Sequence, residues 1–200
     1  IRKLVEEDKI GGLIFSIGTT KSHIDWLNKF QSLSKTPLLV SMDAEWGPSQ
    51  RLSDVFAHPW NMTLGAIQDN SLVREISKRM AEQNRALGIH YNFSPSVDVN
   101  NNSKNPIIGN RSFGEDPVNV YEKAKAYIQG HKDAGIFTSI KHFPGHGDTD
   151  KDSHKTLPII KGDINRLNSV ELYPFKRLIE DGLAESVMLA HLSVPALDKK

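Results

Sequence analysis

Residues 141–154 read Lys141-His142-Phe143-Pro144-Gly145-His146-Gly147-Asp148-Thr149-Asp150-Lys151-Asp152-Ser153-His154, a short polar run dense in histidine and aspartate. Such a run can hold a cation or move a proton. Calcium is one candidate, because Asp148, Asp150 and Asp152 alternate as in the opening of an EF-hand loop. It fails later: Ser153 stands where the turn needs Gly, and Ile159 stands where the loop needs Glu. A zinc or other transition-metal site built from His142, His146, Asp148 and His154 suits the residue types better. Against it, no H-E-x-x-H spacing is present, and Lys141 sets a fixed positive charge beside the ligands. The acid/base reading takes Asp152 and His154. A carboxylate near an imidazole favours the protonated ring and fixes its tautomer, as a donor that later becomes an acceptor near neutral pH requires. An exposed Asp and His with no mutual contact is the plainer alternative.

Other residues could share the site. Lys141 and His142 end an apolar run, where an unpaired ammonium is costly, so they meet either a polar ligand or a carboxylate such as Asp43 or Asp98. Asp43, Glu45, Trp46 and Arg51 offer two carboxylates, an apolar face and a bidentate donor, a set that suits a polyol with one hydrophobic side. Trp46 can equally pack in the core or plug a barrel mouth. Arg111 either donates to substrate oxygens or pairs with Glu115 or Asp116 to brace its turn. His191 ends another apolar run and has no assigned role.

Short apolar runs at 10–15, 37–43, 88–99, 137–143 and 186–192 predict five strands. Helix-period stretches at 23–34, 71–87, 117–134 and 163–181 separate them, and Pro174 is expected to kink the last or to begin a second helix there. One helix per strand implies parallel strands with right-handed crossovers, either a doubly wound sheet or a (β/α)8 barrel. Polar and Gly-rich segments follow the second, third and fourth strands, which places the site at the carboxyl ends in either architecture. No G-x-G-x-x-G or P-loop follows the first strand, so a nucleotide crevice is disfavoured.

The chain has 200 residues, 38% hydrophobic and 24% charged, which describes one soluble globular domain or a piece of one. Its 25 Lys and Arg against 24 Asp and Glu leave a net charge of +1, with no electrostatic case for a nucleic-acid or membrane-surface partner. No apolar run reaches the length of a spanning helix. There is no Cys, which excludes a disulfide scaffold and leaves the compartment open.

The run Lys141-His142-Phe143-Pro144-Gly145-His146-Gly147 with Asp152-Ser153-His154, preceded by Gly109-Asn110-Arg111-Ser112-Phe113-Gly114-Glu115-Asp116-Pro117, strongly resembles the bacterial β-N-acetylglucosaminidases of glycoside hydrolase family 3. The resemblance covers nearly the whole chain. It implies a (β/α)8 barrel, of which about five β-α units are present, and a retaining exo-glycosidase that needs no cofactor. The substrate it implies is terminal β-linked N-acetylglucosamine on peptidoglycan- or chitin-derived glycans. Most retaining glycosidases use two carboxylates; this subgroup replaces the acid/base carboxylate with an Asp-His dyad, matched here by Asp152 and His154. Asp43, Arg51, Arg111, Lys141 and His142 match sugar-binding positions, and a cis peptide is expected at Phe143-Pro144. Where the family reads Gly-Gly-Arg, this chain reads Trp46-Gly47-Pro48, so the rim of the site is expected to differ in shape.

The resemblance also implies a nucleophilic Asp beyond residue 200 and an earlier barrel strand. Residues 1–200 are thus expected to be part of a single catalytic domain truncated at both ends, with the rest of the parent chain needed to close the barrel. Alone, the segment is expected to be unstable. Two other function classes remain in view, a metal-dependent hydrolase using the His/Asp-rich loop and a non-catalytic sugar-binding module.

Overall fold

Side-chain caps decide where the helices begin, and glycines and prolines decide where the strands break. The computed structural model describes residues 1–149 and 157–198. In chain order these form α1 (Arg2–Glu6), β1 (Gly12–Phe15), α2 (Thr20–Leu33), β2 (Leu39–Met42), α3 (Asn61–Gly65), α4 (Asn70–Ala86), β3 (Tyr91–Asn92), α5 (Pro117–Asp133), β4 (Phe137–Thr138), β5 (Ile140–Phe143), α6 (Ile164–Ser169), α7 (Tyr173–Glu180) and β6 (Val187–Leu189). Thr19 and Ser22 cap α2 reciprocally, Asp69 accepts the Ser71 N–H at the start of α4, and Asp116 accepts the Val118 N–H at the start of α5. Among the described residues no helix is long and apolar enough to cross a membrane.

Strands β1, β2, β3 and β4 pair in that order and all in parallel, while β5 pairs with β6. A bridge from Ser96 to Lys141 joins the segment after β3 to β5, so the wall continues across both sheets. The strand order never reverses. A doubly wound sheet requires such a reversal, so this is a singly wound, TIM-barrel-like α/β wall covering part of a full barrel. Ile14 on β1 and Leu189 on β6, the two outer strands, are 62% and 71% exposed.

The predicted strands are all present but shorter. The span 88–99 keeps only Tyr91–Asn92 as ladder, and Pro95, which has no N–H to give, follows shortly after. The span 137–143 divides at Ser139, whose N–H turns to the Ser94 carbonyl at 3.0 Å. Pro174 lies in the first turn of α7 and begins a second helix. Helices α1 and α3 lack a periodic signature at their length and were not predicted. The Phe143–Pro144 peptide is cis, as is Lys141–His142.

The largest core cluster packs Val73 and Met80 of α4, Val120, Ala124 and Ile128 of α5, and Phe175 and Leu178 of α7 against Val97 and Ile140 of the wall. Gly130 permits the closest helix contact: a Cβ there would meet the Arg74 carbonyl oxygen at 2.4 Å. This helix layer fixes the wall from behind and leaves the loops at the carboxyl ends of the strands free to form a site.

Candidate active site

Those loops enclose a cleft of about 720 Å³. Its lining includes Asp43, Arg51, Arg111, Lys141 and His142, all five of the binding residues expected from sequence, together with Glu45, Gln50, His146 and His191. Asp43 directly follows β2, Lys141 and His142 lie within β5, and Arg111 comes from the long connection before α5. Asp152 and His154 lie outside the described residues.

Lys141 is 2% exposed, and its ammonium sits 2.9 Å from Asp43 Oδ1 and 3.0 Å from Glu45 Oε1. Asp43 also accepts from Arg51 at 2.7 Å, and Glu45 accepts from Arg111 Nη2 at 2.8 Å. Anions and cations therefore alternate along the cleft floor. Burial pushes the Glu45 carboxyl up, but the Lys141 and Arg111 charges outweigh it and hold the group at about 2. Asp43 is also lowered, against its burial, by Lys141 and Arg51. Half-buried Asp43 and Arg51 keep hydrogen-bonding capacity towards the cleft, and this is the chemistry that grips a polyol.

Lys141 pairs with Asp43, and with Glu45 as well, whereas Asp98 turns to His142 Nδ1 at 2.6 Å. Arg111 turns to Glu45 rather than to Glu115 or Asp116, because the buried Glu45 accepts both Nε and Nη2 of the guanidinium while Asp116 caps α5. Trp46 does not line the cleft; its indole stacks on Trp60 with centroids 4.1 Å apart. Of the residues considered for a metal, His142 presents Nε2 to the Arg111 guanidinium at 3.2 Å, which opposes a cation, and His146 commits Nδ1 to Thr149 at 2.7 Å. Among the described residues no group of three His, Asp or Glu is arranged to hold a metal ion.

A second layer was missed from sequence. Asn92 clasps Ala44, accepting its N–H at 2.9 Å and donating to its carbonyl at 3.0 Å, so the backbone between Asp43 and Glu45 is pinned. Tyr127 donates to the Glu45 carbonyl at 2.9 Å. Asn92 also donates to Nε2 of the fully buried His131 at 2.9 Å, while Ser77, whose hydroxyl proton goes to the Tyr127 carbonyl, faces Nδ1 at 2.7 Å. Tyr127 and His131 stand four apart on α5, which was the available signal: two polar residues on the helix's apolar face. Asn105 joins two site loops, donating to the His146 carbonyl at 2.7 Å and accepting from Ile107 and Ile108 N–H. Gly147 is required beside it, because a Cβ would lie 1.8 Å from the Val99 carbonyl oxygen.

Burial holds His131 down at about 3, against an ordinary 6.5. The unfolded chain therefore takes up this proton at a higher pH than the folded one, so the contribution is complete above pH 6.5 and is lost as pH falls towards 3. Between pH 6.5 and about 5.5 the buried carboxylates, whose unfolded values lie at or below 4.5, stay almost wholly ionised in both states. Melting temperature is expected to fall with acidification in that window, and a His131→Gln variant is expected to show a flatter limb; parallel limbs would contradict the assignment.

The sequence profile of the Glycosyl hydrolase family 3 N terminal domain matches residues 1–200. Beta-hexosaminidase A of Pseudoalteromonas piscicida is 35% identical over 211 residues, covering 99% of this chain and 35% of that protein. A glycoside hydrolase family 3 beta-N-acetylglucosaminidase from Paenibacillus sp. str. FPU-7 superposes with a TM-score of 0.93 at 39% identity, covering all of this chain and 39% of the other. NagZ from Neisseria gonorrhoeae, in complex with N-trifluoroacetyl-D-glucosamine, superposes with a TM-score of 0.88 at 29% identity over 100% of this chain and 61% of its own. The chain thus spans between about a third and three fifths of the length of these relatives. With the singly wound wall and the charge-paired cleft at its carboxyl ends, these matches make the chain a member of glycosyl hydrolase family 3, within that family's N-terminal domain.

Proposed function

We propose that the protein carrying this chain is a retaining exo-β-N-acetylglucosaminidase acting on peptidoglycan- or chitin-derived glycans. The observation that carries the reading is the cleft floor: Asp43, Glu45, Lys141, Arg51 and Arg111 alternate in charge, each ion facing one of opposite sign, and they keep donors and acceptors for ring hydroxyls. The relatives named beta-hexosaminidase and beta-N-acetylglucosaminidase supply the sugar class.

In this reading Asp43 accepts from ring hydroxyls while Lys141 and Arg51 donate to ring oxygens. His154, protonated and steered by Asp152, gives its proton to the glycosidic oxygen as a carboxylate outside residues 1–200 attacks the anomeric carbon. His154 then takes a proton from the water that releases the sugar, so the β-anomer is regenerated.

Hydrolysis of aryl glycosides by the full-length protein tests the proposal. The β-N-acetylglucosaminide is expected to be cleaved with kcat/KM at least about tenfold above the β-glucoside, with activity retained after treatment with a chelator. Preference for the glucoside would overturn the sugar assignment, loss of activity on chelation would favour a metal-dependent hydrolase, and saturable binding of N-acetylglucosamine without turnover would indicate a sugar-binding module.

A further inference from the structure

Asp98 is wholly buried; the His142 backbone N–H lies 3.3 Å from both its oxygens, whose remaining partners differ. Oδ1 accepts the His146 backbone N–H at 2.6 Å. Oδ2 accepts the Ser96 hydroxyl at 2.9 Å and faces His142 Nδ1 at 2.6 Å. With the His146 and His142 backbone N–H groups and the Ser96 hydroxyl all donating to it, the carboxyl is satisfied in its ionised form. An ionised carboxylate only accepts, so His142 Nδ1 carries a proton. Across the ring, Arg111 Nη2 stands 3.2 Å from Nε2, and a guanidinium only donates, so Nε2 accepts. The neutral Nδ1–H tautomer is the form that satisfies both neighbours. The formal charges of Asp43, Glu45 and Asp98 also sum to zero with those of Arg51, Arg111 and Lys141 when the imidazole is neutral.

The consequence falls on Arg111. A guanidinium has five N–H donors. Nε and one hydrogen of Nη2 go to Glu45, the second hydrogen of Nη2 goes to His142 Nε2, and one hydrogen of Nη1 goes to the Ile107 carbonyl at 3.2 Å. One Nη1–H remains for a ligand. We propose that Asp98 is a positioning residue that, by fixing the His142 tautomer, aims Arg111 so that this single donor meets an acceptor oxygen of the bound substrate. That the substrate is a sugar rests on the function proposed above; the tautomer and the aim of Arg111 do not.

The variant Asp98→Asn keeps the shape of the side chain and separates positioning from packing. The His146 backbone N–H cannot change sides, so the amide oxygen stays there and the amide NH2 faces His142 Nδ1, which must then accept. The ring proton moves to Nε2, where it opposes Arg111 Nη2.

The test is 15N NMR of the His142 ring in the full-length protein, with the signals assigned by their loss in His142→Gln. The unsubstituted protein is expected to show Nδ1 protonated and Nε2 bare, and Asp98→Asn the reverse. In Asp98→Asn, KM for an aryl β-N-acetylglucosaminide is expected to rise about tenfold while kcat changes less than about threefold. A proton on Nε2 in the unsubstituted protein overturns the proposal even if the variant fails to fold. A reversed tautomer with unchanged KM also overturns it. The NMR readout does not depend on turnover, so an unsubstituted protein inactive on β-N-acetylglucosaminides would count against the proposed function and leave the tautomer result standing.

Discussion

A Lys141→Met variant is expected to lose about 3 kcal/mol of unfolding free energy, together with its affinity for N-acetylglucosamine. Methionine keeps the apolar stem and its volume, so packing is nearly preserved and the loss reports the charge. Without the ammonium, Glu45, which is 1% exposed, keeps only Arg111, and Asp43 keeps only Arg51. Two carboxylates then face each other across the space the ammonium held, and breaking a buried pair costs about 3–5 kcal/mol because an uncompensated charge stays behind. The remaining guanidinium partners place the estimate at the lower end. Glu45, held at about 2 by Lys141 and Arg111 against its burial, rises in the variant, so acid unfolding begins at higher pH. Denaturant titrations of the full-length protein and its variant check the value. Stability within about 1 kcal/mol of the parent, with sugar affinity unchanged, would show that the ion network contributes neither stability nor recognition.

The His154→Ala variant is expected to lose about 10²–10⁴-fold in kcat/KM on natural disaccharides and less than about tenfold in kcat/KM on activated aryl glycosides. The difference follows from the leaving group. A sugar alkoxide must be protonated as the glycosidic bond breaks, whereas a nitrophenolate leaves without help. If His154 also takes the proton from water in the second step, the aryl substrate accumulates a covalent intermediate, visible as a burst. Steady-state and pre-steady-state kinetics on both substrates measure the contrast. Equal losses on the two would remove His154 as the acid.

How much of this was legible in sequence differs by element. The long helices were readable because Val73, Ile76 and Met80, and then Tyr121, Ala124 and Ile128, recur at helical spacing and because Pro117 stands at a first turn. Strand lengths were not, since the run at 88–99 continues well past Asn92, where the ladder ends. Asp43, Lys141 and His142 stand out as polar residues at strand ends, the full set with Arg51 and Arg111 follows from the resemblance to glycoside hydrolase family 3, and the cleft brings all five together. The Lys141–Asp43 pair was among the alternatives, but the Arg111–Glu45 pair was not legible: the two are far apart in sequence and meet only because parallel strands place successive loops on one face. The Asn92, Tyr127 and His131 layer was hidden for the opposite reason, because single polar residues inside apolar elements look like tolerated exceptions until their hydrogen bonds are seen.

The account rests on the cleft holding a terminal N-acetylglucosamine against its alternating charges. A crystal structure of the full-length protein with this sugar bound is the most direct test. The account predicts the ring seated in the cleft with its hydroxyls within hydrogen-bond distance of Asp43, Arg51 and Lys141 and with Arg111 Nη1 donating to a sugar oxygen. A sugar bound elsewhere, or one in the cleft that touches none of these groups, would contradict it.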